Sequence, residues 1–164
     1  MNTTLPHPER RRLRLPPDAA STEELGAAIG RRLRAGDVLA LVGELGSGKT
    51  TLVRGLARGL GIDDPDAVAS PTYLLVVEHA GRVPLLHADA YLPAKLAAFL
   101  ADGGLDYLFQ PGVVSVVEWA DRVAAAVPSS ALWLQLVVAP DGGRTVALAC
   151  ARAAAFAWLG ELGG

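Results

Sequence analysis

Hydrophobic and polar residues are distributed along this chain in patterns that predict specific elements. Residues 38–42 form a continuous apolar run, which is too short for a typical helix and is typical of a strand buried on both faces. Just upstream, apolar residues repeat at helical spacing at Leu25, Ala28, Ile29 and Leu33. A helix followed by a buried strand is therefore expected in the first quarter of the chain.

That helix has candidate signals at both ends. Ser21 and Glu24 have the spacing of a capping box, which predicts Ser21 as the N-cap. Gly36 is expected to end the helix, because glycine readily adopts the left-handed conformation of a C-terminal cap.

Downstream, strands and helices are predicted to alternate. Helices are expected over residues 51–60, closed by Gly61, and over 95–100 and 121–127; strands are expected over 72–77, 83–87 and 113–117, and a hairpin over 132–138 and 144–149. This order indicates one α/β domain over residues 13–150, with a mixed, mainly parallel sheet flanked by helices and a β-hairpin near the C-terminus. Residues 1–12 are predicted to be a tail or, around the basic residues 10–14, a short strand. Residues 151–164 are predicted to be a tail or short helix.

Composition narrows the classes of function. The 164 residues are 51% hydrophobic and carry a net charge of −2, whereas proteins that grip nucleic acid on their own usually have a basic excess. Cys150 is the only cysteine and the N-terminus lacks a secretory pattern, so a cytoplasmic location is expected. The most apolar long stretch, residues 123–139, is interrupted by polar residues, so no membrane association is predicted.

Residues 43–50, called the glycine loop below, match the phosphate-binding motif G-x-x-x-x-G-K-[ST] in full. A predicted strand precedes the loop and a predicted helix follows it, which is the context that the motif needs. The motif predicts ATP and Mg²⁺ as ligands, with Lys49 on the β and γ phosphates and the Thr50 hydroxyl on Mg²⁺. The expected nucleotide contacts are Glu44, Leu45, Gly46, Ser47, Gly48, Lys49, Thr50 and Thr51. Arg54 and Arg58, one turn apart on the same helix, are interpreted as surface charges.

Acidic residues follow two other predicted strands. Glu118 directly follows the run 113–117, where phosphate-loop enzymes place the carboxylate that holds Mg²⁺. Trp119 is interpreted either as core packing or as a lid over the nucleotide. His87 and Asp89 are two residues apart and would share one face of a strand, where Asp89 could orient water or hold Mg²⁺ through water.

Several classes of phosphate-loop protein are excluded. The only asparagine is Asn2, so the guanine-selective N-K-x-D motif of GTPases is impossible here, and the L-S-G-G transporter signature is missing. His7 and His79 have no matching partners for a zinc site. An ATPase that serves a partner and a small-molecule kinase remain as interpretations, together with a nucleotide-sensing scaffold that does not hydrolyse ATP.

Four motifs together resemble the TsaE family, bacterial ATPases of the tRNA threonylcarbamoyladenosine pathway. The motifs are the glycine loop with its extension to residue 55, S-P-T-Y at 70–73, H-x-D-x-Y at 87–91 and V-E-W at 117–119. The resemblance runs from about residue 13 to residue 150. It implies a P-loop NTPase-like fold and weak Mg²⁺-dependent ATP hydrolysis. It also implies association with the TsaB–TsaD pair, which transfers threonylcarbamoyl to tRNA adenosine, so tRNA would be touched only indirectly.

The resemblance also implies roles for single residues. Lys49, Thr72 and Asp89 would act in catalysis, with Thr72 as a switch-like residue near the γ phosphate. Thr50 and Glu118 would hold the metal. Trp119 and Arg144 would contact the nucleotide.

One segment departs from the family pattern. Leu92 and Pro93 stand where the family usually has Arg-Leu, and the following residues 94–106 hold fewer glutamates than usual. This segment is expected to contact partners or to shape the switch, so the departure concerns partner geometry rather than the phosphate site.

Overall fold

The computed structural model describes residues 4–163, which form one seven-stranded sheet flanked by helices. The strands are β1 (Glu9–Leu15), β2 (Val38–Val42), β3 (Val76–His79), β4 (Leu85–Asp89), β5 (Val114–Glu118), β6 (Leu132–Val138) and β7 (Arg144–Ala149). Their order across the sheet is β1-β7-β6-β2-β5-β4-β3. The α/β class and the terminal hairpin are as predicted.

The prediction of a mainly parallel sheet was wrong. The four central strands, β6, β2, β5 and β4, are parallel to one another, but both edges are antiparallel. The β1–β7 and β6–β7 ladders, with six residue pairs each, are the longest in the sheet. Short connections explain two of the three antiparallel ladders, because hairpin turns join β3 to β4 and β6 to β7 and therefore reverse the strand direction. The third ladder, β1–β7, pairs strands from opposite ends of the chain.

The two faces of the sheet carry different helices. On one face lie α1 (Ala19–Gly30) and α2 (Lys49–Leu60); on the other lie α3 (Pro93–Phe99), a π-helical turn (Leu100–Gly104) and α4 (Leu105–Leu108). Strand β2 packs Leu39 and Leu41 into the first core cluster and its remaining residues into the second. All of β2 is buried, which confirms the two-sided burial that its apolar run predicted.

Short 3₁₀ segments complete the chain at Pro65–Ala67, Ala120–Ala126 and Ala153–Glu161. The last of them inserts Phe156 and Leu159 into the first core cluster. The predicted boundary at residue 12 falls inside β1, which pairs with β7, so the chain takes the short-strand alternative there. None of the helices formed by residues 4–163 has the length and hydropathy needed to cross a bilayer.

Local signals misplaced three element boundaries, the two ends of α1 and the start of β3. Asp18, not Ser21, caps α1, since its carboxylate accepts the Ser21 amide at 2.6 Å, and the helix ends at Gly30 rather than at Gly36. The strand expected over 72–77 begins only at Val76, because Leu75 has a left-handed φ of 63° that interrupts extended backbone. Residues 72–74 therefore form a turn beside the sheet.

Helices α1 and α2 pack with their backbones in direct contact, at positions where glycines leave no side chain between them. A Cβ added at Gly55 would overlap the Glu23 carbonyl oxygen, and one added at Gly26 would overlap the Leu52 carbonyl oxygen. Gly30 and Gly59 make equally close approaches one turn further along. This contact fixes the position of α2, which carries Lys49 and Thr50 at its first turn.

We expect Gly55→Ala to lower the free energy of unfolding by about 1–3 kcal/mol, the usual effect of overpacking a tight contact. Alanine favours helix over glycine by about 1 kcal/mol in an open position. Because the helix propensity of alanine would raise stability, a loss of stability in chemical denaturation can be attributed to the close contact between α1 and α2. The control is Gly160→Ala, whose Cβ would meet no atom within 4 Å. Unchanged or increased stability of Gly55→Ala would contradict the prediction.

Candidate active site

The carboxyl ends of the central parallel strands meet at one edge of the sheet, where open α/β sheets usually bind ligands. The glycine loop follows β2, Glu118 ends β5 and Asp89 ends β4. Asp89 and Glu118 are direct partners in the β4–β5 register. A cavity of about 510 Å³ opens beside them, lined by the glycine loop, residues 70–73 and the ends of β4, β5 and β7.

The glycine loop leads directly into α2. Gly48 is the N-cap of this helix and has a φ of 104°, a left-handed conformation that favours glycine. Arg144 at the start of β7 donates from Nε to the Ser47 carbonyl oxygen at 3.2 Å, which ties the loop to the hairpin. The first N–H groups of a helix lack intrahelical acceptors, so this end of α2 suits an anion.

Lys49 is buried beneath the glycine loop, with 5% of its surface exposed. Its Nζ donates to the carbonyl oxygens of Gly43 and Glu44 at 2.6 and 3.0 Å, and lies 3.9 Å from the centre of the Trp119 ring. Burial lowers the pKa of Lys49, and the charges of Glu118 and other nearby acids oppose that shift. Both hydrogen-bond acceptors are neutral, so an anionic ligand would be a stronger partner for this ammonium group.

The Glu118 carboxylate accepts hydrogen bonds from two elements. The Thr50 hydroxyl donates to Oε1 at 2.9 Å and to Oε2 at 3.2 Å. His87 on β4 lies with Nε2 2.8 Å from Oε1, and both His87 and Glu118 are buried. An ionised carboxylate only accepts, so this contact requires the His87 hydrogen on Nε2.

Asp89 holds the turn at residues 70–72 against the sheet. Its Oδ2 accepts from the hydroxyls of Ser70 and Thr72, the latter at 3.2 Å, and its Oδ1 accepts from the Tyr91 amide at 2.7 Å. Asp89 is only 1% exposed, so it reaches the cavity through Thr72 rather than directly.

Trp119 both packs on the second core cluster and lines the cavity. Its φ of 57° is left-handed, which turns the chain sharply after β5. The Tyr91 ring meets Trp119 edge-on at 5.4 Å, and the Arg122 guanidinium lies 4.5 Å from the Trp119 ring centre. Arg122 also donates to the Tyr91 carbonyl oxygen at 2.6 Å, so the ends of β4 and β5 are connected above the site.

The oxygen atoms at this edge suit a hard divalent cation. Mg²⁺ is usually held by one or two carboxylates together with water and substrate phosphate. The Thr50 hydroxyl and the Glu118 carboxylate offer such oxygens side by side at the cavity wall. Across residues 4–163 no cluster of three or more His, Cys, Asp and Glu side chains forms a metal cage.

A family model described as "Threonylcarbamoyl adenosine biosynthesis protein TsaE" matches residues 16–146. The chain belongs to the TsaE family. A Treponema pallidum protein called "tRNA threonylcarbamoyladenosine biosynthesis protein TsaE" is 39% identical over 131 residues, which cover 80% of this chain and 95% of that protein. The Bacillus subtilis protein of the same name is 36% identical over 132 residues, covering 80% and 78%.

A solved structure agrees with the family assignment. The crystal structure of Bacillus subtilis YdiB superposes with a TM-score of 0.73 at 27% identity, covering 94% of this chain and 95% of that one. The resemblance to the TsaE family drawn from four short motifs is thus confirmed, as is the α/β fold. The family is involved in tRNA threonylcarbamoyladenosine biosynthesis.

Most site residues predicted from the sequence of this TsaE-family chain lie together. The cavity wall includes Leu45, Gly46, Gly48, Lys49, Thr50, Thr51, Thr72, Glu118, Trp119 and Arg144. Glu44 and Ser47 instead line an adjoining cavity of about 330 Å³ that shares Trp119 with the first. The structure gives their positions, and the role assigned to each remains a prediction.

The two arginines of α2 lie away from this wall. Arg58 forms ion pairs with Glu23 at 3.1 Å and Asp66 at 2.7 Å, and Arg54 donates to the Val68 carbonyl oxygen at 3.4 Å. Both contacts agree with the interpretation of surface charges.

Three contact residues were not among the predicted site residues. His87 binds Glu118, Ser70 binds Asp89, and Arg122 stacks on Trp119. For His87 a signal existed, namely its two-residue spacing from Asp89, but the register that brings it to β5 is set by long-range strand pairing. Ser70 lies in the S-P-T-Y motif, which gave it no role of its own, and Arg122 carries no signal in the sequence.

We expect Asp89→Asn to loosen the turn at residues 70–74, because hydrogen bonds to a charged acceptor contribute about 1.5–3 kcal/mol. The reporter is the Leu75 amide, which donates to the Pro71 carbonyl oxygen at 2.8 Å. Its hydrogen exchange should accelerate by about 10–100-fold. Asp66→Asn, which removes only an exposed ion pair, is the control. Equal exchange in wild type and Asp89→Asn would show that the carboxylate does not hold the turn.

Proposed function

We propose that this TsaE-family chain hydrolyses ATP with Mg²⁺ and does so in support of the TsaB–TsaD pair during tRNA threonylcarbamoyladenosine modification. The observation that carries the proposal is the partly buried hydrogen bond between Thr50 and Glu118. It lies at the first turn of α2, directly beside Lys49 and the glycine loop. Lys49 thus offers a positive charge for phosphate, and Thr50 and Glu118 offer oxygen ligands for a metal. All three residues line the same cavity.

The charges around the cavity favour a metal complex of the nucleotide over the free nucleotide. Glu118 and Asp89 lie near Lys49 and favour its charged form, as do Asp121 and Glu44. A polyphosphate would be repelled by these carboxylates and attracted by one lysine and Arg144. A divalent cation held by Thr50 and Glu118 would offset that repulsion.

The proposal assigns a role to each residue of the site. Lys49 exchanges the carbonyl oxygens of Gly43 and Glu44 for phosphate oxygens, while the glycine loop and the start of α2 surround the phosphates. Thr50 and Glu118 hold Mg²⁺, which when bound neutralises charge that develops on the phosphates. Asp89 assists hydrolysis through Thr72, whose hydroxyl it holds at the cavity wall, where Thr72 orients the attacking water.

Exposed apolar side chains at the cavity mouth support a partner-dependent reaction. Leu45 in the glycine loop and Tyr73 and Leu74 in the neighbouring turn are 81%, 87% and 74% exposed. Side chains of this kind beside an open cavity favour a protein that covers them. The pair TsaB–TsaD is the partner that the family resemblance implies, and the name of the matched family fits that pathway.

We expect Lys49→Ala to weaken ATP binding by about 10–100-fold, since one charge-assisted hydrogen-bond partner is removed. Isothermal titration with ATP and Mg²⁺ measures this directly. The chain has one other lysine, Lys95 on α3, and Lys95→Ala is the matched control that should bind as wild type. Equal affinity of wild type and Lys49→Ala would remove the phosphate-binding argument.

Hydrolysis tests the catalytic part of the proposal. Asp89→Ala should bind ATP normally, yet its hydrolysis rate with TsaB–TsaD present should fall by about 10²–10⁴-fold, because the group that positions water is lost. Asp106→Ala, at an exposed position, serves as the control.

Wild-type ATP binding without turnover, even with TsaB–TsaD, would favour a nucleotide-sensing scaffold. Turnover coupled to a phosphorylated metabolite would favour a small-molecule kinase.

A further inference from the structure

His87 is a polar side chain in the interior of the sheet with one polar contact. It is fully buried on β4, and its Nε2 lies 2.8 Å from Glu118 Oε1. The other ring nitrogen, Nδ1, is buried and has no hydrogen-bond partner within the described residues. The neighbouring ring of His79 lies 6.4 Å away between centroids, beyond direct hydrogen-bonding contact.

Stability alone is a weak reason for a histidine at this position. Burying a polar ring with one nitrogen unpaired carries a free-energy penalty, and a single internal hydrogen bond returns only about 1–1.5 kcal/mol. The flanking β4 residues Leu86 and Ala88 are apolar and fully buried, and an apolar side chain would also fill this site. The contact with Glu118 is the feature that a leucine could not supply.

The geometry of Glu118 shows what that contact does. The terminal torsion of a glutamate is broad, so the plane of its carboxylate can rotate unless donors fix it. Thr50 contacts both oxygens at similar distances, 2.9 and 3.2 Å, and therefore selects between them only weakly. His87 contacts Oε1, and its backbone is fixed by the β4–β5 ladder, where it pairs with Val116.

We propose that His87 is a positioning residue, which fixes the rotation of the Glu118 carboxylate and thereby keeps Oε2 and the Thr50 hydroxyl presented to Mg²⁺. The inference rests on the proposed function, because it assumes that Thr50 and Glu118 hold the metal of a nucleotide complex. His87 itself contacts neither metal nor nucleotide. Hydrogen-bonding groups behind metal ligands typically change metal affinity or activity by about 10–100-fold when they are removed.

The test separates the metal dependence of nucleotide binding from binding itself. Affinity for a fluorescent, non-hydrolysable ATP analogue is measured in EDTA and across a range of Mg²⁺ concentrations. For His87→Leu, the Mg²⁺ concentration that gives the half-maximal effect should rise by about 10–100-fold, while affinity in EDTA stays as in wild type. His87→Gln, which retains a donor, should recover most of the loss. His79→Leu, on the adjacent strand, should match wild type.

Three results would overturn the inference. One is an unchanged Mg²⁺ dependence in His87→Leu. Another is an equal loss of affinity with and without Mg²⁺, which indicates a structural role. The third is that Mg²⁺ has no effect on binding of the ATP analogue by the wild-type protein. That result would overturn the proposed function as well, whereas the first two would overturn only the inference about His87.

A measurement on the unmodified chain covers the case in which His87→Leu does not fold. The sequence contains three histidines, so long-range ¹H–¹⁵N correlation spectra can assign the ring tautomers. The inference requires hydrogen on Nε2 of His87, because that atom faces the Glu118 carboxylate. Finding the neutral Nδ1–H tautomer would overturn it.

Discussion

The candidate site depends on one buried carboxylate, Glu118, which joins three elements that are distant in the sequence. It ends β5, accepts a hydrogen bond from Thr50 at the start of α2, and accepts another from His87 on β4. Its backbone carbonyl oxygen also accepts the Ala90 amide at 2.9 Å, just beyond β4. A buried carboxylate needs such partners because losing one leaves charge uncompensated in the interior. The position of Glu118 therefore constrains the glycine loop, β4 and β5 together.

The rest of the fold holds that arrangement in place. The four parallel strands bring their carboxyl ends to one edge of the sheet, and the glycine contacts between α1 and α2 leave little freedom for α2 to shift. Asp89, paired in register with Glu118, ties the turn at residues 70–72 to the same edge. Rigid elements thus carry Lys49, Thr50 and the two acids, whereas the exposed Tyr73 and Leu74 lie on a turn. This division suits the partner-dependent hydrolysis that we propose.

The sequence predicted the site better than it predicted the sheet. The glycine loop, Glu118 and the β6–β7 hairpin were predictable because their signals are local: a complete motif, an acid after an apolar run, and a turn-rich linker. Strand order, the antiparallel β1–β7 ladder and the partner of His87 depend on long-range pairing, which single-sequence patterns do not encode. The start of β3 was misplaced because Leu75 gives no sign of a left-handed conformation. The cap of α1 was misplaced because Asp18 competed with an equally good signal at Ser21.

A crystal structure of the chain with a non-hydrolysable ATP analogue and Mg²⁺ tests the central claim most directly. The account predicts Mg²⁺ bound to the Thr50 hydroxyl, with Glu118 still between Thr50 and His87. It also predicts that the Lys49 ammonium leaves the Gly43 and Glu44 carbonyl oxygens for phosphate. A nucleotide bound away from the glycine loop, or Lys49 still on those carbonyl oxygens beside a bound triphosphate, would contradict it.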